Sequence, residues 1–552
     1  MSSSMSISTS TDSAAYVIGV DVGTGSARAG IFDLAGQMMA SAKRDITLYQ
    51  ASGSVVEQSS TEIWKAVCDA VKDALLQARL SPEQISGISF DATCSLVVLG
   101  EGGSPLSVSD SGEPERDMIV WMDHRAVDQA ERINATGHDV LRFVGGKISP
   151  EMETPKLLWL AENKPEVFSA AWQFFDLTDY LTWRATGDLS RSTCTVTCKW
   201  TYLAHEKKWD EAYFRTIGLG VLADEAFARI GQKVVEPGTR LGRGLTDIAA
   251  DALGLRTGTP VGAGVIDAHA GGIGTVGAGG EPESCLAYVF GTSSCTMTST
   301  RQPVFVPGVW GPYFSAMVPN LWLNEGGQSV AGAAIERLLS MHPEAAVVRK
   351  RAEGEGKGLL DTLAGLAAAS AGGISETVFL ASHLHVVPEF LGNRAPLADP
   401  HARAVIVGMG MEVGVASLVA LYIAGICSIG YGLRQIIEVQ TLAGAPVEQI
   451  MISGGAGRSD LIRQLLADAT GMPVLASQAD EPVMLGTAML AAVAAGHFDT
   501  VIAAMSKMSH ISQTYTPAVG KIADLHTSRF EAFKRLQSVA REIRYSDHDE
   551  PH

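Results

Sequence analysis

A chain of 552 residues exceeds the size at which one hydrophobic core keeps growing, so two large domains with a ligand-holding cleft between them are expected. Apolar residues make up 46% and charged residues 18%, a globular composition that needs neither a metal nor a disulfide staple to fold. The formal charge of -18 opposes phosphate polyanions, which excludes DNA, RNA and an anionic membrane surface as partners.

Residues 1–15, MSSSMSISTSTDSAA, have neither a basic nor an apolar stretch and read as a disordered leader, not a signal peptide. From 16 to 34, YVIGVDVGTGSARAGIFDL reads as strand, Gly-rich turn, strand. Ile63, Trp64, Val67, Val71 and Leu75 recur at helical spacing within 61–78, with Ser60 or Thr61 placed to cap the start. Further strands are expected at 85–90, ending on Asp91, and at 118–122, ending on Asp123. Acidic residues thus fall at strand ends, where open α/β sheets place ligands.

The seven cysteines fall at no metal-ligand spacing. The one close pair, Cys194 and Cys198, lacks the two-residue gap of a zinc knuckle, and scattered thiols in odd number point to a reducing cytosol. GAGG at 277–280 breaks the pattern between two strand-like runs and marks a domain boundary. After it, LAYVFGTSSCTMT at 286–298 repeats the layout of the first hairpin, as a duplicated fold would. The uncharged run 413–433 is long enough to span a bilayer, but it carries Gly414, Ser417, Gly425, Ser428, Gly430 and Gly432 and follows the acidic Glu412, so a buried core helix is expected. At 449–460, QIMISGGAGRSD runs from strand through Gly454-Gly455 to a helix starting near Leu461, with Ser459 or Asp460 placed to cap it.

Gly-Thr-Gly-Ser and Gly-Thr-Ser-Ser turns expose consecutive backbone N–H groups and hydroxyls without side-chain bulk, which suits phosphate oxygens. Each alone is an ordinary hairpin turn. Three in order, with Asp21 before the first and Asp267 before the second half, point to a nucleotide instead.

These segments resemble the FGGY carbohydrate kinases of the actin, sugar kinase and heat-shock ATPase superfamily, over nearly all of residues 16–545. GVDVGTGSARAGIFD is similar to the family's first phosphate motif, YVFGTSSCTM to its second and SGGAGRSDLIRQLLADATGMPV to its adenosine motif. VGAGVIDAHAGGIG resembles the segment that supplies the catalytic aspartate. KLLWLAEN at 156–163 fits the second half of the N-terminal signature, whereas Glu151 to Pro155 departs from its first half; the region 405–410 matches the C-terminal signature only in part. The resemblance implies an α/β, duplicated actin-like (ribonuclease H-like) ATPase fold with an interdomain cleft. Its expected parts are an N-terminal domain at 16–278, a C-terminal nucleotide-binding domain at 284–545 and a short tail at 546–552.

Within the family, DATCSLVVL, VWMDHRA, CKW and NEGGQSVAG look like the sugar-pocket segments of ribulokinase-like and pentulose kinases. The resemblance implies Cys94, Lys199, Asp267 and Glu325 at the sugar, Asp123 and Arg125 beside it, and D-ribulose as substrate. L-ribulose, xylulose or a pentitol such as ribitol is the alternative. ATP and Mg²⁺ are the implied cofactors, with Thr24, Gly25, Ser26, Gly291, Thr292, Ser293 and Ser294 on the phosphates and Gly454 and Gly455 at the nucleotide.

Phosphoryl transfer asks for positioning, charge neutralisation and a carboxylate that accepts the hydroxyl proton. Asp267 is the candidate base, against a plain helix cap. Asp21 would hold Mg²⁺ through water, against a turn stabiliser. Arg28 would neutralise the transferred group, against a solvated strand residue. His124 and His269 receive structural hydrogen bonds and no catalytic role, and Cys94 and Cys198 are small packing residues. A non-kinase ATP-driven clamp of the same superfamily is the remote alternative, but about one hundred residues follow the third turn and look like core helices, not a peptide-binding appendage. The expected protein is a cytoplasmic sugar kinase, with a homodimer left open.

Overall fold

The structure, a computed structural model, describes residues 15–51 and 54–548. The expected leader therefore lies, except for Ala15, outside the described residues, as do residues 549–552 of the expected tail.

The first sheet grows from the expected hairpin. Tyr16–Val22 and Ser26–Asp33 pair antiparallel and Met38–Asp45 adds a third antiparallel strand. Ile85–Ala92 lies parallel to Tyr16–Val22 on its other side, and Val261–Ile266 lies parallel beyond that. The helix Ser60–Ala78 packs Ile63, Val67, Val71 and Leu75 into the core under this sheet. Its cap is Ser59, whose hydroxyl accepts the Glu62 N–H at 3.2 Å; Ser60, one of the two expected caps, instead gives its hydroxyl to Asp117 at 2.5 Å. The expected strand at 118–122 stops after Met118–Ile119, because the chain turns at once and the Asp123 N–H bonds back to the Val120 carbonyl.

The second sheet repeats the first. Cys285–Phe290, Ser294–Thr300 and Trp322–Gln328 form the antiparallel meander, with Gln449–Ser453 and then Val474–Ser477 parallel on the far side. Trp310–Phe314 and Ile511–Tyr515 extend its two edges. Strand order and direction match between the two sheets, so the duplication suggested by one repeated hairpin extends to the whole layout and gives the actin-like α/β fold.

The chain passes between the sheets through two short 3-10 turns, Gly277–Gly279 and Pro282–Ser284. Two helices tie the halves together. Asp267–Val276 leaves the first sheet and packs on Cys285–Phe290, while Pro482–Ala494 returns from the second half to cover Tyr16–Val22 and Ile85–Ala92. They touch through glycines: a Cβ on Gly274 would sit 1.9 Å from the Pro482 carbonyl oxygen, and one on Gly486 1.9 Å from that of Ala270.

The apolar run at 413–433 lies in the helix Val415–Ala443, long and apolar enough to cross a membrane by length and composition; 72% of its apolar window is buried inside the protein, as expected of a core helix. The last helix, Lys521–His548, carries the fold past the expected boundary at 545.

Candidate active site

Three carboxylates converge where three parallel strands end. Asp21 and Asp91 face each other in register on adjacent strands, Val265 pairs with Asp91 on the third, and Asp267 follows two residues later. Asp267 opens its helix and its Oδ1 accepts the Ala268 N–H at 2.7 Å; the cap position belongs to Ile266, so Asp267 is not the helix cap. Burial, and after it the charge of Asp21, push the Asp267 carboxyl up to about 6. Burial and Asp21 likewise hold Asp91 well above the usual carboxylate range, and burial raises Asp21 despite its ion pair with Arg28.

Asp91 Oδ2 accepts the hydroxyl of Thr487 from the returning helix, while its buried Oδ1 finds no partner among the described residues. Buried carboxylates with an unpartnered oxygen suit a hard, oxygen-seeking divalent cation such as Mg²⁺. Arg28 is part-buried and paired: it binds Asp21 and reaches Glu481 of the other half at 2.8 Å.

Beside it lies a cavity of about 600 Å³ walled by Arg28, Gly454, Gly455, Arg458, Arg463 and Glu481. Gly454 is required there, with φ +94 and a Cβ position only 2.5 Å from the Phe290 carbonyl oxygen. Thr24, Gly25 and Ser26 and the second turn, Gly291, Thr292, Ser293 and Ser294, do not line this cavity. Both are braced turns: the Thr24 hydroxyl accepts the Trp121 indole N–H at 3.0 Å, and the Thr292 carbonyl accepts the Ala331 N–H at 2.8 Å. The helix Asp460–Thr470 begins without the expected side-chain cap, since Ser459 makes no cap bond and Asp460 accepts the Tyr515 hydroxyl at 2.6 Å. Arg458, Arg463 and Glu481 were not singled out in the sequence, although the two arginines lie within and just after the third turn.

On the other side of Asp267, burial opposes the Lys199 charge, but Cys94 and Glu325 act in the opposite direction and the ammonium is held well above the lysine range. It also lies 5.7 Å from the Trp310 ring centre. Burial opposes the Glu325 charge too, yet the His269 hydrogen bond and the charges of His269, Lys199 and Arg394 bring its carboxyl down to about 2. Burial sends the Cys94 thiol up to about 12, as befits a packing residue.

The structure gives partners to two further pairs of residues. Asp123 is fully buried and spends both oxygens on Arg125 and the Val56 N–H, and Arg125 also binds Glu57 at 2.9 Å. Both side chains are thus engaged with each other and with the strand Val56–Gln58. Cys194 and Cys198 also meet a partner: they gather with His269, which also touches Glu325. The signal was present, since residues four apart on a helix share a face.

Carboxylates at the strand ends of one half, beside a glycine-walled cavity in the other, define a phosphotransferase of the actin-like class. Sequence models of the FGGY family of carbohydrate kinases match residues 16–274 with the N-terminal domain and 286–495 with the C-terminal domain, and the chain belongs to that family. It is therefore a sugar kinase, and the ATP-driven clamp is set aside. An FGGY carbohydrate kinase domain-containing protein of Homo sapiens is 43% identical over 535 residues, covering 94% of this chain and 96% of the relative. A D-ribulokinase of Saccharomyces cerevisiae is 35% identical, covering 97% and 78%. Among solved structures, a xylulose kinase from Rhodospirillum rubrum superposes with a TM-score of 0.77 at 21% identity, covering 96% of this chain and 99% of that one, a likeness of fold.

Proposed function

We propose that the enzyme phosphorylates D-ribulose on a hydroxyl directed at Asp267, giving D-ribulose 5-phosphate. The observation that carries this is Asp267 itself: a half-buried carboxylate at a strand end, with a pKa raised to about 6, beside Lys199 and Glu325 on one side and the glycine-walled cavity on the other. A base with that affinity is mostly ionised at neutral pH yet basic enough to take a hydroxyl proton as the bond to phosphorus forms. The choice of D-ribulose rests on the D-ribulokinase relative and on the pocket segments at 91–99, 198–200 and 324–332.

Asp267 accepts the proton, while Lys199 and Glu325 orient the sugar by hydrogen bonds of opposite polarity. Gly454 and Gly455 let the backbone approach the nucleotide, and the Thr24 and Thr292 turns present N–H groups to its phosphates. Asp21 would hold Mg²⁺ through water, where the ion would supply charge neutralisation for the phosphates. Arg28 faces the nucleotide cavity while paired with Glu481, so a phosphate beside it would meet a contact between the halves.

A panel of D-ribulose, L-ribulose, xylulose, ribitol and glycerol in an ADP-release assay with Mg²⁺ tests the proposal. D-ribulose should have the highest kcat/KM; a wide margin for glycerol or a pentitol would refute the pentulose assignment.

A further inference from the structure

His269 lies two residues beyond Asp267, fully buried, with an acceptor at each ring nitrogen. Nδ1 is 3.0 Å from Cys194 Sγ, and Nε2 is 3.3 Å from Glu325 Oε2. An ionised carboxylate only accepts, so Nε2 must carry a proton. The sulfur on the other side accepts the Ile266 N–H at 3.4 Å, and the Cys198 sulfur, one helical turn away, lies within 4.8 Å of it. A sulfur that already accepts from the backbone is stabilised as a thiolate, and a thiolate facing Nδ1 draws a second proton onto the ring.

We propose that Cys194 and His269 are positioning residues for Glu325, a buried thiolate and imidazolium that fix the ring and give the carboxylate one N–H and a positive charge. The proposal rests on the reading of Glu325 as a sugar contact. Burial disfavours both charges, but the mutual attraction and hydrogen bond of the pair draw Cys194 down and push His269 up. Glu325 is then held ionised and in one rotamer, ready to accept from a sugar hydroxyl, without relying on a flexible surface cation. Around the ring stand Cys194 and Cys198 on one helix, Glu325 on the sheet and Asp267 on its own helix, with Lys199 and Arg394 beyond Glu325.

Ring protonation can be read without any sugar. Nitrogen-15 spectra of histidine-labelled full-length enzyme, with His269→Gln to assign the signal, should show this ring doubly protonated at pH 8; a neutral ring would overturn the proposal. Steady-state kinetics on D-ribulose form the second arm. Cys194→Ala should raise the sugar KM about tenfold, the worth of one hydrogen bond to a charged group, with kcat changed far less. That KM should climb further from pH 7 to 9 as the unsupported ring loses its proton, while the wild-type value stays level. Cys194→Ser, which keeps an acceptor at Nδ1, should recover most of the loss at pH 7.

Glu325→Gln separates the two readings. If it leaves KM unchanged, the sugar-contact reading fails whatever the ring shows; if it raises KM and Cys194→Ala does not, the positioning role alone fails. Stoichiometric zinc in the purified enzyme would also overturn the proposal, because Cys194, Cys198 and His269 offer ligand atoms within 4.8 Å of one another and would then be a metal site.

Discussion

Asp267 has its proton affinity set by neighbours of opposite effect. Burial and the Asp21 charge raise it, while the Ala268 N–H and the charges of His269 and Lys199 lower it, leaving the carboxyl near 6. Because the protonated acid cannot accept a proton from the sugar, kcat should be level above pH 7 and fall as the pH drops through about 6, approaching tenfold per unit well below it. A pH–rate profile checks this; an acid limb near 4 would mean that Asp267 is not buried in the working enzyme or is not the base. The sequence marked Asp267 because a strand followed by a carboxylate and small residues is a local pattern. It could not mark the company His269 keeps, since Cys194 and Glu325 are 75 and 56 residues away and only the fold joins them. For a related reason the ion pairs of Arg125 with Asp123 and Glu57 were not legible: a charged pair in sequence looks the same whether it faces a ligand or binds its neighbours.

Between the halves, the crossing of Asp267–Val276 and Pro482–Ala494 is as close as backbone allows, and it places Thr487 on Asp91 and Glu481 on Arg28. Gly486→Ala would drive a methyl group into the Ala270 carbonyl, where no flexible side chain can yield. It should destabilise the protein by about 1–3 kcal/mol, the usual cost of overpacking, and lower kcat by displacing Asp91 from Thr487. Chemical denaturation with unchanged midpoint and slope would show that the helices can separate freely there. The hairpins were legible in sequence because alternation and Gly-rich turns are local. The helix Pro482–Ala494 was not, because PVMLGTAMLAAVA is apolar nearly all round and gives no sign of which sheet it covers. The short strand at Met118–Ile119 was over-read for a similar cause: VWMD continues its apolar character, and only the turn onto Asp123 ends it.

Across the whole molecule the work divides between the repeats. The first sheet places Asp21, Asp91 and Asp267, and the second half contributes Gly454 and most of the cavity with Arg458 and Arg463. Length and a repeated hairpin suggested this duplicated plan and the family resemblance implied it, whereas the contacts that each half makes with the other's residues are a tertiary fact. The division yields the most direct test of the account, the kinetics and nucleotide affinity of Asp267→Asn. The amide keeps the size and can still bond the Ala268 N–H through its carbonyl, so the fold and ATP binding should survive, while kcat with D-ribulose should fall by roughly 10²- to 10⁴-fold, the contribution of a positioned general base. A folded, ATP-binding Asp267→Asn enzyme with near-normal turnover would contradict the account.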